Sequence, residues 1–232
     1  MIKLIANSTC LWCGSELKYS ELKHCICSDC ISKIEYIDIN NSCFKCGLPN
    51  SKNYCRFCQN QEIKVERNIS LLRYEGITKD IIHSIKFHND KNKIDILKLI
   101  LDKININDLF SEKIDIIIPV PVSLISFLKR GFNLVDELFK EFAIKNKIPY
   151  IKVLGKRITS KEQKKLSKEE RIQLVKKKFY IKKNIDLSNK NILIVDDVFT
   201  TGSTINACYE LVKKLGANKI FSLTLCRAIE NI

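Results

Sequence analysis

One stretch near the end of the chain, Asn191-Ile192-Leu193-Ile194-Val195-Asp196-Asp197-Val198-Phe199-Thr200-Thr201-Gly202-Ser203-Thr204, limits the possible folds more than any other. Ile192 to Val195 is a continuous apolar run bounded by Asn191 and two carboxylates. That length and its β-branching suit a strand buried on both faces of a parallel sheet. A Thr/Gly/Ser-rich turn follows, and Ala207, Leu211, Val212 and Leu215 then recur at helical spacing. Strand, polar loop and helix predict an α/β fold with the loop at the carboxyl end of a strand, where open α/β sheets bind ligands.

The loop chemistry is specific. Thr200, Thr201, Ser203 and Thr204 set hydroxyls beside the free N–H groups of a helix start, a site suited to phosphate. Gly202 lets backbone approach an anion closely. Asp196 and Asp197 would repel that phosphate, but adjacent carboxylates suit a pair of hydroxyls or a hydrated metal ion. Phosphate next to a diol describes a ribose 5-phosphate. A lone Gly-Ser-Thr turn would read instead as a capped helix after an ordinary buried strand, with both acids in a solvated turn. All the features in one register favour the sugar-phosphate site.

Nine of the eleven cysteines lie between Cys10 and Cys58. They pair as Cys10/Cys13, Cys27/Cys30, Cys43/Cys46 and Cys55/Cys58, each pair two residues apart, with Cys25 left over as a bystander. Such loops turn both thiolates toward one tetrahedral ion, and two of them close a structural zinc site. Gly14 and Gly47 follow their pairs, as a turn of positive φ after a metal knuckle requires. The expectation is a double zinc ribbon with two structural zinc ions. The simplest order joins the first two pairs and then the last two; an interleaved order stays open. Trp12, Phe44 and Phe57 read as small core residues of the ribbons rather than stacking platforms.

Polar residues 59–67 read as a linker, which predicts two domains, 1–66 and 67–232. Beyond it the pattern predicts a strand at Ile69–Tyr74, helices at Ile77–Phe87 and Ile94–Ile104, and a buried strand at Ile114–Ile118 stopped by Pro119-Val120-Pro121. A helix over Phe132–Ile144, a short strand over Ile151–Leu154 and a closing strand within Lys219–Arg227 follow. His83 and His88 read as structural, and Cys208 and Cys226 as buried small hydrophobes. Arg130 is the best local cation for a bidentate phosphate contact.

The formal charge of +14 is unevenly spread. Residues 1–66 carry eight basic and seven acidic side chains, whereas 156–183 carry twelve basic against three acidic. Two zinc-thiolate centres would make the first segment slightly acidic. Any nucleic-acid grip is therefore expected in 156–183, as a basic surface or a flap over the site. No apolar run reaches transmembrane length, and the start of the chain lacks a signal-peptide pattern, so a cytoplasmic protein is expected.

Val195 to Thr204 resembles the PRPP (5-phosphoribosyl-1-diphosphate) motif of type I phosphoribosyltransferases. By that resemblance Asp196 and Asp197 hold the ribose hydroxyls and Thr200 to Thr204 the 5′-phosphate. The whole chain resembles the ComF family of ComFC-type competence proteins, a double zinc ribbon ahead of a phosphoribosyltransferase-like parallel sheet flanked by helices. Ile118-Pro119-Val120-Pro121 and Arg130-Gly131-Phe132-Asn133 match segments on the diphosphate side, and Lys86, Arg157, Gln163 and Arg171 match cleft positions. Three positions depart: Asn89 stands where Gly is usual, Leu134 where Gln is usual and Val175 where Asn is usual. The resemblance implies Mg²⁺-PRPP as ligand and a role in DNA uptake, with single-stranded DNA and a helicase-like protein as partners and membrane association only through partners. It implies no settled acceptor base and no catalytic residue. A salvage or regulatory phosphoribosyltransferase, using PRPP and a base, is the alternative.

Overall fold

The computed structural model describes residues 8–51, 53–157 and 178–229. In chain order the principal elements are β1 (Asn68–Arg73), α1 (Gly76–His88), α2 (Ile94–Asp102), β2 (Ile116–Pro119), α3 (Leu124–Arg130), α4 (Leu134–Lys145), β3 (Leu154–Lys156), β4 (Phe179–Ile181), β5 (Ile192–Phe199), α5 (Ser203–Lys214) and β6 (Ile220–Arg227). The strand that anchors the sequence motif is central: the sheet order is β1-β6-β5-β2, and every pairing is parallel. Ile192 to Val195 are fully buried because the pleat sends alternate side chains into two separate cores. Leu193 and Val195 join α1, α2 and α4, while Ile192 and Ile194 join α5.

The cysteine-rich segment is part of this packing. Cys10, Cys27 and Cys30 belong to the first core, and Cys43, Cys46 and Cys55 to the second. The expected boundary after residue 66 falls just before β1, and both cores run across it. Backbone crosses it too: Ile37 N–H donates to Leu71 O at 2.8 Å and Arg73 N–H to Glu35 O at 2.9 Å. These bonds cover the free edge of β1, which would otherwise offer unpaired groups to another chain.

Several local expectations shift. The strand expected over Ile151–Leu154 lies at Leu154–Lys156 and pairs antiparallel with β4 outside the main sheet. Of this segment, Tyr150 makes an isolated parallel bridge to the main sheet, at Ile117. The fourth helix starts at Leu134 rather than Phe132, because the Asn133 side chain accepts from Val135 N–H and caps it. Helix α3 has no counterpart in the sequence reading. Its apolar residues Leu124, Ile125, Phe127 and Leu128 crowd together and stand exposed, so no buried stripe announces it. Phe44, read as a small core residue, is 44 % exposed with the Arg67 guanidinium 5.0 Å above its ring.

Candidate functional site

At the carboxyl end of β5, Asp196 and Asp197 face a cavity of about 360 Å³ together with Lys86, Arg130, Thr200 and Thr204. Parallel pairing places the end of β2 alongside, with Val120 N–H donating to Val195 O at 2.9 Å. Asp197 N–H donates to the Asp196 carboxylate at 2.9 Å, which fixes that side chain. Burial, and then the adjacent Asp197 carboxylate, push Asp196 up to about 7 against the pull of Lys86. Lys86 Nζ sits 2.7 Å from Asp197 Oδ2. Burial pulls the Lys86 ammonium down, but the Asp197 and Asp196 carboxylates outweigh it and leave it above its ordinary value.

Lys86 reaches this point from the last turn of α1, where a cation complements the helix dipole. The helix ends at Asn89 with φ 57° and ψ 29°. Asn tolerates that left-handed conformation because its short polar side chain bonds locally, so the departure from Gly leaves the turn intact. Arg130 closes α3 against Gly131, φ 75°, and its Nε–H donates to Ser126 O at 3.3 Å.

The loop Thr200 to Thr204 is closely packed. Thr201 and Ser203 hydroxyls lie 2.8 Å apart. Gly202 caps α5 at φ 75°, and a Cβ there would meet Ile63 Cδ1 at 2.5 Å and the Phe199 ring at 2.8 Å. Only glycine satisfies both the backbone conformation and that close approach. Thr200 and Thr204 line the cavity; Thr201, Gly202 and Ser203 shape the loop without lining it.

Tyr74, Ser123, Ser126, Asn133 and Lys156 also line the cavity. Asn133 was legible as part of the Arg-Gly-Phe-Asn segment, but the others carry no local signal. Burial pushes the Lys156 ammonium below its ordinary value, partly countered by Asp196. Leu134 is buried in the core and not in the cavity. Arg157 is exposed, 5.7 Å from the Tyr180 ring. Gln163, Arg171 and Val175, with most of the basic segment, lie outside the described residues. His83 and His88 stand exposed beside each other, their ring centroids 5.6 Å apart, and belong to neither cysteine group.

The eight paired cysteines form two groups, Cys10/Cys13/Cys27/Cys30 and Cys43/Cys46/Cys55/Cys58, with sulfurs within 4.8 Å of one another in each. Cys13–Cys27, Cys43–Cys58 and Cys46–Cys55 separations are 3.8, 3.7 and 3.5 Å. A tetrahedral S₄ site with Zn–S near 2.3 Å has sulfur edges of about 3.8 Å, so both groups fit zinc. Cys27 N–H and Cys55 N–H each point at a cysteine sulfur, Cys10 and Cys43, at 3.4 Å, the outer support that thiolate ligands need. The pairing is therefore sequential, not interleaved, and Cys25 stays apart.

Comparison with known proteins places residues 86–231 in the phosphoribosyl transferase domain family. The competence protein ComFC of Streptococcus pneumoniae is 28 % identical over 94 % of this chain and 99 % of its own. Competence protein F of Haemophilus influenzae is 29 % identical over 96 % of this chain and 98 % of its own. Among solved structures, adenine phosphoribosyltransferase from Saccharomyces cerevisiae is 23 % identical, with a TM-score of 0.36, over 58 % of this chain and 69 % of its own.

Proposed function

Because the chain belongs to the phosphoribosyl transferase domain family, with full-length likeness to ComF-type competence proteins, we propose that it binds Mg²⁺-PRPP and handles single-stranded DNA in natural transformation. The observation that carries the ligand is the shared cavity, which sets two carboxylates, the start of a hydroxyl-rich helix and three cations within one space. Asp196 and Asp197 accept the ribose hydroxyls. Thr200 to Thr204 and the first N–H groups of α5 take the 5′-phosphate. Arg130 and Lys86 face the diphosphate, the first as a fork and the second as a point charge. Asp196 or Asp197 would help hold the Mg²⁺ that accompanies PRPP, and that ion would supply charge neutralisation at the diphosphate. Ribose must displace Lys86 from Asp197, which releases that ammonium toward the diphosphate.

Among the described residues no helix is long and apolar enough to cross a membrane, and the protein acts on the cytoplasmic side through a membrane partner and a helicase-like one. Single-stranded DNA meets the basic segment 156–183.

Calorimetry with ribose 5-phosphate and Mg²⁺-PRPP tests the site. Replacing Asp196 and Asp197 together by Asn should weaken PRPP at least about tenfold, since charge-assisted hydrogen bonds contribute about 1.5–3 kcal/mol each. Unchanged affinity places the ligand elsewhere. Rapid diphosphate release with one base and none with DNA favours the salvage enzyme instead. For DNA, changing Lys164, Lys165, Lys176 and Lys177 to Gln should flatten the dependence of log affinity on log salt by about two to three units, at about 0.7 per lost phosphate contact.

A further inference from the structure

The largest fully buried side chain among the described residues is Arg227, the last residue of β6, 1 % exposed. A guanidinium removed from water needs a counter-charge, yet among the described residues no carboxylate pairs with it and its Nε–H has no hydrogen-bond partner. Its Nη1 donates to Thr200 O at 2.8 Å, to Phe199 O at 3.3 Å and to Ala228 O. Its Nη2 points at Cys46 Sγ, 4.0 Å away, the outer reach of an N–H···S bond. The rings of Phe199 and Phe57 lie 5.0 and 5.6 Å from its carbon, so aromatic faces complete the enclosure.

Four thiolates around one Zn²⁺ make a net dianion, and this is the negative charge within reach of Arg227. One face of the guanidinium fork thus points at the second cysteine group, and the other holds the two carbonyls that open the phosphate-type loop. Neighbouring contacts repeat the link. Gln61 Nε2 donates to Thr201 O at 2.9 Å, Ile63 packs under Gly202, and Asn206 on α5 both accepts from Lys64 N–H and donates to Glu62 O. Every one of these partners lies just after Cys58 in the chain.

We propose that Arg227 is a positioning residue that couples the second zinc centre to the 5′-phosphate loop, so that metal at Cys43/Cys46/Cys55/Cys58 sets the loop's affinity for a sugar phosphate. The inference rests on the ligand reading above. It predicts reciprocity, because a contact that favours anion binding when metal is present must also respond at the metal when the anion binds.

The test uses the full chain loaded with Co²⁺ in place of zinc, whose thiolate-to-metal absorption reports the sulfur environment. Ribose 5-phosphate should shift that absorption in the wild type. Arg227→Lys keeps the charge but loses the fork, and should retain two metal equivalents, weaken ribose 5-phosphate about tenfold and abolish the shift. Gln61→Ala, which leaves the buried guanidinium alone, should weaken the ligand about threefold with the shift retained, and it carries the test if Arg227→Lys fails to fold. Ligand affinity unchanged in either folded variant, or no spectral response in a wild type that binds, overturns the coupling. A wild type that binds no ribose 5-phosphate overturns the ligand reading, and the coupling with it.

Discussion

The two cysteine groups have the same Cys-x-x-Cys pairs and the same fit to a tetrahedral ion, but they sit on opposite faces of the sheet. The first packs under α1, α2 and α4, leaves Cys13 exposed, and sets Trp12 beneath the Lys93 ammonium. Among the described residues no hydrogen bond joins it to the loop 200–204. The second is more deeply enclosed, with Cys46 wholly buried, and reaches that loop through Arg227, Gln61 and Ile63. A metal motif therefore has no fixed role. The first group staples a helix layer, and the second lies under the loop 200–204 because it shares the core that Ile192 and Ile194 of β5 enter.

The most direct way to break this contrast is to remove one ligand from each group. Cys46→Ser and Cys13→Ser should each lower the zinc content from two equivalents to one by elemental analysis. Cys46→Ser should also weaken ribose 5-phosphate by about a hundredfold or more, equivalent to about 2.7 kcal/mol, whereas Cys13→Ser should stay within about threefold. Equal losses would mean that either zinc merely supports the fold, since structural zinc contributes about 10–16 kcal/mol in small domains.

Protons give a finer probe of the cavity above the second group. Asp196 is held near 7 in the folded chain by burial and by Asp197, above the 3.8 of an ordinary carboxyl. A raised folded value means the folded state takes up a proton between those limits, so this group's contribution to stability is full below about 4 and is lost by about pH 7. Thermal stability of the wild type relative to Asp196→Asn should therefore rise as pH falls from 7 toward 4. Ligand affinity should move the other way, falling by up to about tenfold per pH unit below 7 as Asp196 loses the charge that ribose hydroxyls meet. Lys86 faces the same carboxylates and is held above its ordinary value by them, so it stays cationic through that range and cannot produce the reversal. Parallel trends in both measurements would remove Asp196 from the ligand site.

What could be read beforehand follows the same divide between local and distant chemistry. Asp196, Asp197 and the Thr/Gly/Ser loop are contiguous, and strand, loop and helix each announce themselves by pattern. The eight zinc ligands were legible because two-residue spacing is a local geometric demand. Lys86 entered only through family likeness, since a single cation at a helix end has no local meaning, whereas Arg130 was a local candidate whose Lys-Arg-Gly context alone reads as a surface turn. Tyr74, Ser123, Ser126 and Lys156 reach the cavity because parallel crossovers bring four segments to one strand end, which no window of sequence contains. Arg227 was hidden most completely: in the sequence it only bounds the closing strand, and only the enclosure of Phe57, Phe199 and Cys46 makes it a buried cation. Helix α3 was missed for the opposite reason, as its apolar residues face out.

The smallest effect concerns surface charge and asks whether the first group has any part in DNA contact. Metal-loaded, residues 1–66 come out slightly acidic, so Lys18, exposed on the first cysteine loop, sits in a field that does not attract phosphate. Lys182 is exposed at the end of β4 within the basic segment and faces an adjoining cleft with Tyr180 and Lys156. A lysine that meets one phosphate of a single strand releases about 0.7 counterion when it binds. Lys182→Gln should therefore flatten the slope of log affinity against log salt by about 0.7, and Lys18→Gln should leave it unchanged. Fluorescence anisotropy of a labelled oligonucleotide across a salt series resolves a difference of that size. A change at Lys18 and none at Lys182 would move the DNA path onto the first zinc ribbon, and that ribbon would then be a binding surface instead of a staple.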